Sequence, residues 1–119
     1  MVRIIMHGCN GKMGQVISKM AAEDENVKVV AGVDTYRDIP NPYPVFADLG
    51  SCDVDADVVI DFSNASAVDG LLKDCVEKQI PLVLCTTGLS EEQLAQVSDA
   101  GEKIAVLRSA NMSLGINLL

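Results

Sequence analysis

The stretch that decides the fold is Arg3-Ile4-Ile5-Met6-His7-Gly8-Cys9-Asn10-Gly11-Lys12-Met13-Gly14-Gln15, close to the amino terminus. It begins within a short apolar run, residues 2–6, that is typical of a buried parallel strand. Three glycines follow at the spacing G-x-x-G-x-x-G, and an amphipathic helix pattern begins after them. This order predicts a strand, a glycine turn and the start of a helix.

Each glycine has a mechanical role in such a turn. Gly8 can adopt backbone angles that are closed to residues with a Cβ, and Gly11 leaves room for a pyrophosphate to approach the main chain. Gly14 lets the helix pack tightly on the strand. Because the N–H groups and the dipole at a helix N-terminus attract phosphate, the turn predicts an anion site.

A carboxylate further along the chain makes the anion site more specific. Glycine turns occur in many proteins that bind no nucleotide, so the spacing alone is weak evidence. Here a second apolar strand, residues 27–33, ends about 20 residues after the turn, and Asp34 stands at its tip, where a carboxylate would meet an adenosine ribose. The combination predicts dinucleotide binding.

Length and charge limit both the number of domains and the kind of partner. With 119 residues that are 49% hydrophobic, the chain can bury one core, so we predict a single dinucleotide-binding domain over residues 1–119. The formal net charge of −8 argues against nucleic acid or an anionic membrane as a partner, since both need basic patches. Backbone N–H groups and nearby basic side chains such as Lys12 and Arg37 would have to hold an anionic cofactor locally.

The cysteine pattern and the lack of long apolar runs indicate a reduced, cytoplasmic protein. The four cysteines show no metal-binding spacing, and we expect no metal site: Cys9, Cys52, Cys75 and Cys85. Nothing at the amino terminus resembles a signal peptide, and no apolar run approaches the length of a membrane span. Cys9 and Cys85 fall at loop and strand-end positions, where a small buried side chain is favoured over a reactive thiol.

Strands and helices alternate along the rest of the chain. Met13, Val16, Ile17 and Met20 recur at helical spacing, which predicts that this methionine-rich stripe packs on the sheet. Three prolines make residues 35–44 a loop, and residues 45–55 are ambiguous and could hold a short helical turn. The remaining strands are predicted at residues 57–62, 81–85 and 104–107.

Two further helices separate these strands. One is predicted over residues 65–78, and the other begins at the S-x-x-Q capping box of Ser90 and runs to about residue 100. The order strand, helix, strand, loop, strand, helix, strand, helix, strand contains no hairpin signal. It predicts an α/β fold with a doubly wound parallel sheet, a Rossmann-like NAD(P)-binding domain. Ligands bind beyond the carboxyl ends of the strands in such a sheet.

Four segments carry a resemblance to a known family: Gly8-Cys9-Asn10-Gly11-Lys12-Met13-Gly14, Val59-Ile60-Asp61-Phe62-Ser63, Thr86-Thr87-Gly88 and Ser109-Ala110-Asn111-Met112-Ser113-Leu114-Gly115-Ile116-Asn117. The chain resembles, essentially end to end, the N-terminal domain of dihydrodipicolinate reductase (4-hydroxy-tetrahydrodipicolinate reductase), which acts in the diaminopimelate route to lysine. The resemblance implies NADH or NADPH as cofactor. It also implies hydride transfer to a cyclic imine dicarboxylate, with tetrahydrodipicolinate as product.

The cofactor contacts can be assigned from the resemblance together with the residues themselves. Residues 8–13 would cradle the pyrophosphate, Asp34 would take the adenosine ribose, and the later strand ends would border the groove and the nicotinamide. The complete candidate set is Gly8, Cys9, Asn10, Gly11, Lys12, Met13, Asp34, Arg37, Phe62, Ser63, Cys85, Thr86, Thr87, Ser109, Ala110, Asn111 and Met112. The family usually has glycine where Cys85 stands and phenylalanine where Met112 stands. The resemblance therefore does not fix the position of the nicotinamide ring at these two residues.

The resemblance places the catalytic groups outside these residues. The proton-donating and carboxylate-binding residues of the family belong to its C-terminal domain, which implies cofactor binding without catalysis here. The family's homotetramer also forms chiefly through that domain. Residues 114–119 look like the first turns of an apolar helix, so we expect further chain to follow in the natural protein. For His7 we expect packing or a backbone hydrogen bond in preference to acid–base work.

Cofactor choice and two rival functions remain open on the sequence. Asp34 would repel a 2′-phosphate by up to about 4 kcal/mol at an intermediate dielectric. Arg37 is either a solvated loop residue or a charged partner that offsets roughly 1.5–3 kcal/mol of this, so we expect NADH to bind at least as well as NADPH. The rivals are another amino-acid dehydrogenase with the same N-terminal fold and a nucleotide-sensing module without chemistry.

Overall fold

The computed structural model describes residues 2–35, 40–86 and 88–108. Within them the strands are β1 (Val2–His7), β2 (Val27–Val33), β3 (Val45–Phe46), β4 (Val58–Asp61), β5 (Leu82–Leu84) and β6 (Val106–Arg108). The α-helices are α1 (Lys12–Ala22), α2 (Val68–Lys78) and α3 (Glu91–Gly101), and short 3-10 turns lie at Leu49–Ser51 and Ala65–Ala67.

All strand pairs in the sheet are parallel, and the spatial order is β3-β2-β1-β4-β5-β6. The chain therefore begins in the middle of the sheet, winds outward through β2 and β3, and then crosses to the other side. This doubly wound α/β order confirms the predicted fold class. The winding direction reverses between β1 and β4, and a cleft is expected at the carboxyl ends of strands that part in this way.

The structure adds β3 to the five strands predicted from the sequence. β3 lies in the ambiguous part of the chain and pairs with the last two residues of β2. The Gly32 N–H donates to the Pro44 carbonyl and the Asp34 N–H donates to the Phe46 carbonyl, both at 2.9 Å. A proline offers a carbonyl but no N–H, so it is tolerated beside an edge strand. The expected helical turn is also present, as the 3-10 turn Leu49–Ser51.

Both helices predicted after β4 are present, although α2 begins at Val68, after the 3-10 turn Ala65–Ala67, and not at residue 65. The buried residues of α2 are Val68, Leu71, Leu72 and Cys75. The capping box of α3 is formed, since the Gln93 N–H donates to Ser90 Oγ at 3.1 Å and the Ser90 N–H donates to Gln93 Oε1 at 3.0 Å. Reciprocal bonds of this kind satisfy backbone donors that the first helical turn leaves without partners.

The predicted methionine-rich stripe of α1 is wrong in part. Ile17 packs against the core, but Val16 and Met20 are 47% and 62% exposed. The buried residues of α1 are Gly14 and Ala21. Because Gly14 allows the helix backbone to approach β1 closely, small residues lie at the closest contact, while Val16 and Met20 are left exposed. The periodicity identified the helix and the packing of Ile17 correctly, but it placed Val16 and Met20 on the buried face, where the structure does not have them.

Apolar side chains cover both faces of the sheet. One cluster joins the central strands to α2 and α3, and a smaller one joins Ile4, Met6, Cys9 and Tyr43 to the α1 side. Among the described residues, no helix is both long enough and apolar enough to cross a membrane.

Candidate functional site

A cleft of about 620 Å³ opens at the carboxyl ends of β1, β2 and β4. Its lining includes five of the predicted site residues: Gly8, Gly11, Asp34, Phe62 and Ser63. The cleft thus lies where the winding of the sheet reverses. Its volume falls within the range of sites for small molecules and cofactors.

The glycine turn forms one wall of the cleft through very close backbone contacts. Gly8 has a φ of +84°, and a Cβ there would lie 2.8 Å from the Phe62 carbonyl oxygen. A Cβ on Gly14 would lie only 2.2 Å from the Gly8 carbonyl oxygen. Gly11 is exposed, and its N–H donates to the Gly8 carbonyl at 3.1 Å. The turn therefore needs glycine at positions 8 and 14 for its shape, while Gly11 presents bare backbone to the cleft.

The N-terminus of α1 has the properties of an anion site. Gly11 is the N-cap residue, no side chain of the described residues caps the helix, and no acidic residue stands in the first turn. The exposed Lys12 is the first helical residue, and the half-buried Met13 follows it. A negative group placed here would meet the positive end of the helix dipole and backbone N–H groups.

Asp34 is attached to the glycine turn. The Asn10 N–H donates to Asp34 Oδ2 at 2.9 Å, so the carboxylate at the tip of β2 lies against the turn after β1. Two side chains hold Asn10 from other directions: Gln15 Nε2 donates to its carbonyl at 2.9 Å, and Asn41 Nδ2 donates to its Oδ1 at 2.8 Å. Sequence analysis missed the role of Asn41, because it lies in the proline-rich loop, where no local pattern identifies its partner.

A second carboxylate, which sequence analysis did not include in the site, links three strands beside the cleft. Asp61 is fully buried, and it accepts hydrogen bonds from the Ser63 N–H at 3.0 Å and from Ser63 Oγ at 2.6 Å. Thr86 Oγ1 donates to Asp61 Oδ2 at 2.5 Å. His7 Nδ1 lies 2.8 Å from Asp61 Oδ1. Packing or a backbone hydrogen bond was expected for His7; it is buried, and its side-chain partner is this carboxylate and not the backbone.

The surroundings of Asp61 keep it ionised. Burial raises the pKa of Asp61, but the bond and attraction to His7 and the donors of Ser63 and Thr86 outweigh burial, so its pKa lies below the usual value. Because the pKa is lowered in the folded state, the charged carboxylate contributes stability that is present above the ordinary carboxyl pKa. That contribution is lost as the pH falls through the folded-state value.

The cysteines of the predicted site are small buried side chains, as expected. Cys9 and Cys85 are 0% and 6% exposed, and both are free thiols. Burial, reinforced by the charge of Asp34, raises the pKa of Cys9 to about 11. Burial, reinforced by the charge of Asp61, raises the pKa of Cys85 to about 12. Both thiols are therefore protonated at neutral pH and unsuited to nucleophilic chemistry.

The remaining parts of the cleft contain polar groups that no sequence motif marked. Asp48, Asn64, Ser66 and Asp74 line it, and the fold brings them there from the segment after β3, the segment after β4, and α2. No group of three potential metal ligands occurs within the described ranges. Several predicted positions lie outside the described residues: Arg37, Thr87, Ser109, Ala110, Asn111, Met112 and residues 114–119.

Comparison with known proteins gives a consistent family. Residues 2–112 match the family model described as "Dihydrodipicolinate reductase, N-terminus". The 4-hydroxy-tetrahydrodipicolinate reductases of Caldanaerobacter subterraneus subsp. tengcongensis and Clostridium novyi are 52% and 45% identical to the chain over 119 residues. In both cases the alignment covers 100% of this chain and 47% of the relative, so the chain spans about half the length of these curated relatives.

Solved structures agree with the family assignment. Dihydrodipicolinate reductase from Paenisporosarcina sp. TG-14, solved with dipicolinate bound, superposes with a TM-score of 0.84 at 29% identity over 99% of this chain and 50% of its own. The WlbA dehydrogenase from Chromobacterium violaceum, solved with NADH and UDP-GlcNAcA, has a TM-score of 0.70 at 14% identity over 98% of this chain and 37% of its own. The second likeness concerns the fold alone.

The contacts of the glycine turn generate a stability prediction. Replacing Gly14 by alanine should lower the free energy of unfolding by about 3 kcal/mol, the upper part of the range for overpacking, because the new methyl group meets immovable backbone. Gly101→Ala is the matched control, since Gly101 ends α3 and a Cβ there meets nothing within 4 Å. The free energy of unfolding of Gly101→Ala should stay unchanged or rise by up to about 1 kcal/mol. Urea unfolding curves of both variants measure the difference, and equal stabilities would contradict the packing described.

Proposed function

The chain belongs to the family of dihydrodipicolinate reductase N-terminal domains, and from this premise we propose that it is the nicotinamide-dinucleotide-binding half of a 4-hydroxy-tetrahydrodipicolinate reductase of the diaminopimelate route to lysine. One observation carries the proposal. A glycine turn, an open helix N-terminus and Asp34 border the same cleft at the point where the sheet reverses. Such a cleft is where dinucleotides bind in doubly wound sheets.

The residues present fit the phosphate and ribose parts of a dinucleotide. The backbone of residues 8–13 and the N-terminus of α1 would bind the pyrophosphate, because the missing side chain of Gly11 leaves the main chain accessible from the cleft. Asp34 would accept a hydrogen bond from a ribose hydroxyl. Its existing bond to the Asn10 N–H supports this role, because that bond fixes the distance between the ribose partner and the phosphate turn.

The nicotinamide end would lie toward the tips of β4 and β5. Phe62 and Ser63 line the cleft at the first of these, and Cys85 and Thr86 follow the second. We extend this border to Thr87 and to residues 109–112 by family resemblance. When bound, the cofactor supplies a hydride, and these residues would orient the ring and keep water from it.

Acid–base chemistry would come from the other half of the full-length protein. His7 reaches the lining of the cleft, but its Nδ1 lies 2.8 Å from the buried Asp61 carboxylate, so we assign it a structural role in place of proton transfer. The substrate we propose is a cyclic imine dicarboxylate, and the dipicolinate in the Paenisporosarcina structure is a compact dicarboxylate of related shape. We further propose a cytoplasmic location, a homotetramer formed through the other half, and little self-association of these residues alone.

From the charge of the cleft we expect NADH to bind at least as tightly as NADPH. Asp34, Asp48 and Asp74 line the cleft together. A 2′-phosphate near Asp34 would meet a repulsion of up to about 4 kcal/mol at an intermediate dielectric, and less where water has access. The hydroxyl and amino groups of adenosine are neutral hydrogen-bond donors. The same carboxylates can therefore accept hydrogen bonds from them without electrostatic repulsion.

The first test is NADH binding by the 119-residue chain, measured by isothermal titration calorimetry. We expect binding, and we expect Gly11→Ala to weaken it about tenfold or more. The new methyl group has a single close neighbour, the Gly8 carbonyl oxygen at 3.3 Å, so the fold should persist while the phosphate approach is blocked. Gly101→Ala is the control and should bind like the unmodified chain. No NADH binding, or full affinity in Gly11→Ala, would overturn the proposed site.

The second test concerns cofactor preference. Asp34→Asn removes the negative charge but keeps an oxygen that can accept from the Asn10 N–H, so the ratio of NADPH to NADH affinity should rise by about fivefold or more. Asp99→Asn makes the same charge change on α3, outside the cleft lining, and should leave the ratio unchanged. A strong preference for NADPH in the unmodified chain would contradict the role given to Asp34.

The third test asks for the whole reaction. A chimera joins this chain to the remaining half of the Caldanaerobacter reductase, to which it is 52% identical where they align. We expect this chimera to consume NADH when the imine dicarboxylate is added, and we expect the 119-residue chain alone not to do so. NADH absorbance provides the measurement. A folded chimera that binds NADH without turnover would favour a nucleotide-sensing module in place of the reductase.

A further inference from the structure

A pair consisting of one basic and one acidic side chain lies at each end of the paired strands β1 and β4. The two pairs differ in their exposure to solvent. The strands pair in register from Ile4 opposite Val58 to His7 opposite Asp61. At the amino end, Arg3 and Asp57 lie 3.4 Å apart with side chains 48% and 46% exposed. At the cleft end, His7 and Asp61 lie 2.8 Å apart with side chains 10% and 0% exposed. An exposed pair contributes little, whereas loss of one partner of a buried pair is costly.

The side chain of Asp61 connects the strands at the point where the backbone hydrogen bonds of the sheet end. The Phe62 N–H donates to the His7 carbonyl at 2.9 Å, and the Cys85 N–H donates to the Asp61 carbonyl at 3.0 Å. Beyond these bonds, within the described residues, the carboxylate of Asp61 connects the tips of β1, β4 and β5 through His7, Ser63 and Thr86. One buried side chain thus holds three strand ends in a fixed relation.

The bond to Ser63 also reaches the phosphate turn. Asp61 fixes the N–H of the peptide between Phe62 and Ser63, and this peptide is the surface against which Gly8 rests, since a Cβ on Gly8 would lie 2.8 to 3.0 Å from its atoms. The bond to Thr86 acts on the other side. Thr86 is 5% exposed, it is not among the residues that line the cleft, and its hydroxyl donates to Asp61, so the hydroxyl places the segment after β5.

We propose that Asp61 is a positioning residue, which never touches the dinucleotide but sets the spacing between the tips of β1 and β4 and the tip of β5. This inference rests on the proposed function, in which the nicotinamide end lies between β4 and β5. The bond to Thr86 then governs affinity for the nicotinamide half, while the adenosine diphosphate half is held by the turn and Asp34. A general structural role would affect both halves alike.

The test compares NADH with ADP, a probe that keeps the adenosine and the diphosphate but lacks the nicotinamide. Both are titrated into the 119-residue chain and three variants by calorimetry. Thr86→Val keeps the shape of the side chain and removes only the hydroxyl. This variant should weaken NADH binding about fivefold, as expected for the loss of one hydrogen bond. Its affinity for ADP should stay within about twofold of that of the unmodified chain. Asp61→Asn should weaken NADH about tenfold or more and ADP by less.

Asp57→Asn is the matched control, because Asp57 occupies the solvent-exposed end of the same pair of strands. It should bind both ligands like the unmodified chain. Unchanged NADH affinity in folded Thr86→Val and Asp61→Asn would overturn the inference, as would equal losses for NADH and ADP. If Asp61→Asn does not fold, Thr86→Val decides by the same criteria. An unmodified chain that binds no NADH would overturn the proposed function itself, and this inference with it.

Discussion

The close approach of two backbone segments is the constraint on which the rest of this structure depends. The Gly8 carbonyl stands so near the first turn of α1 that a single Cβ on Gly14 would lie within 2.2 Å of it. This contact sets the height of α1 above the sheet, which in turn decides that Ala21 is buried while Met20 is left in solvent. It also leaves the helix N-terminus without a covering side chain, facing the cleft. The same close contact therefore determines both the packing of α1 and the accessibility of its N-terminus.

Local dipoles, and not overall charge, make this corner suitable for phosphate. The chain has a formal net charge of −8, and Asp34, Asp48 and Asp74 all line the cleft. Such a field would repel a dinucleotide if the phosphates could not reach a protected site. The N-terminus of α1 would provide such a site, because the attraction of a helix end acts within about one turn and needs no basic patch. In the proposed complex, the carboxylates would restrict the phosphates to the end of the cleft beside the N-terminus of α1.

Two acid–base pairs at opposite ends of the same strands show how surroundings decide what an interaction does. Arg3 with Asp57 and His7 with Asp61 have the same separation along the chain. The first pair is solvated and replaceable by water. The second pair is enclosed by the tips of three strands, and its carboxylate also accepts hydrogen bonds from the hydroxyls of Ser63 and Thr86. His7 and Ser63 reach the lining of the cleft, while the Asp61 carboxylate that joins them is fully buried.

By itself, the sequence determined the fold class, the glycine turn, the position of Asp34 at the tip of the second strand and the capped start of α3, because these depend on spacing along short stretches. The tertiary structure alone decided the edge strand β3, the exposed side of α1 and the partner of His7. Hydrophobic period identifies a helix but cannot tell how near a glycine brings it to its neighbour. Likewise, strand register places residues 54 positions apart in contact, and no local pattern records which carboxylate a histidine will meet.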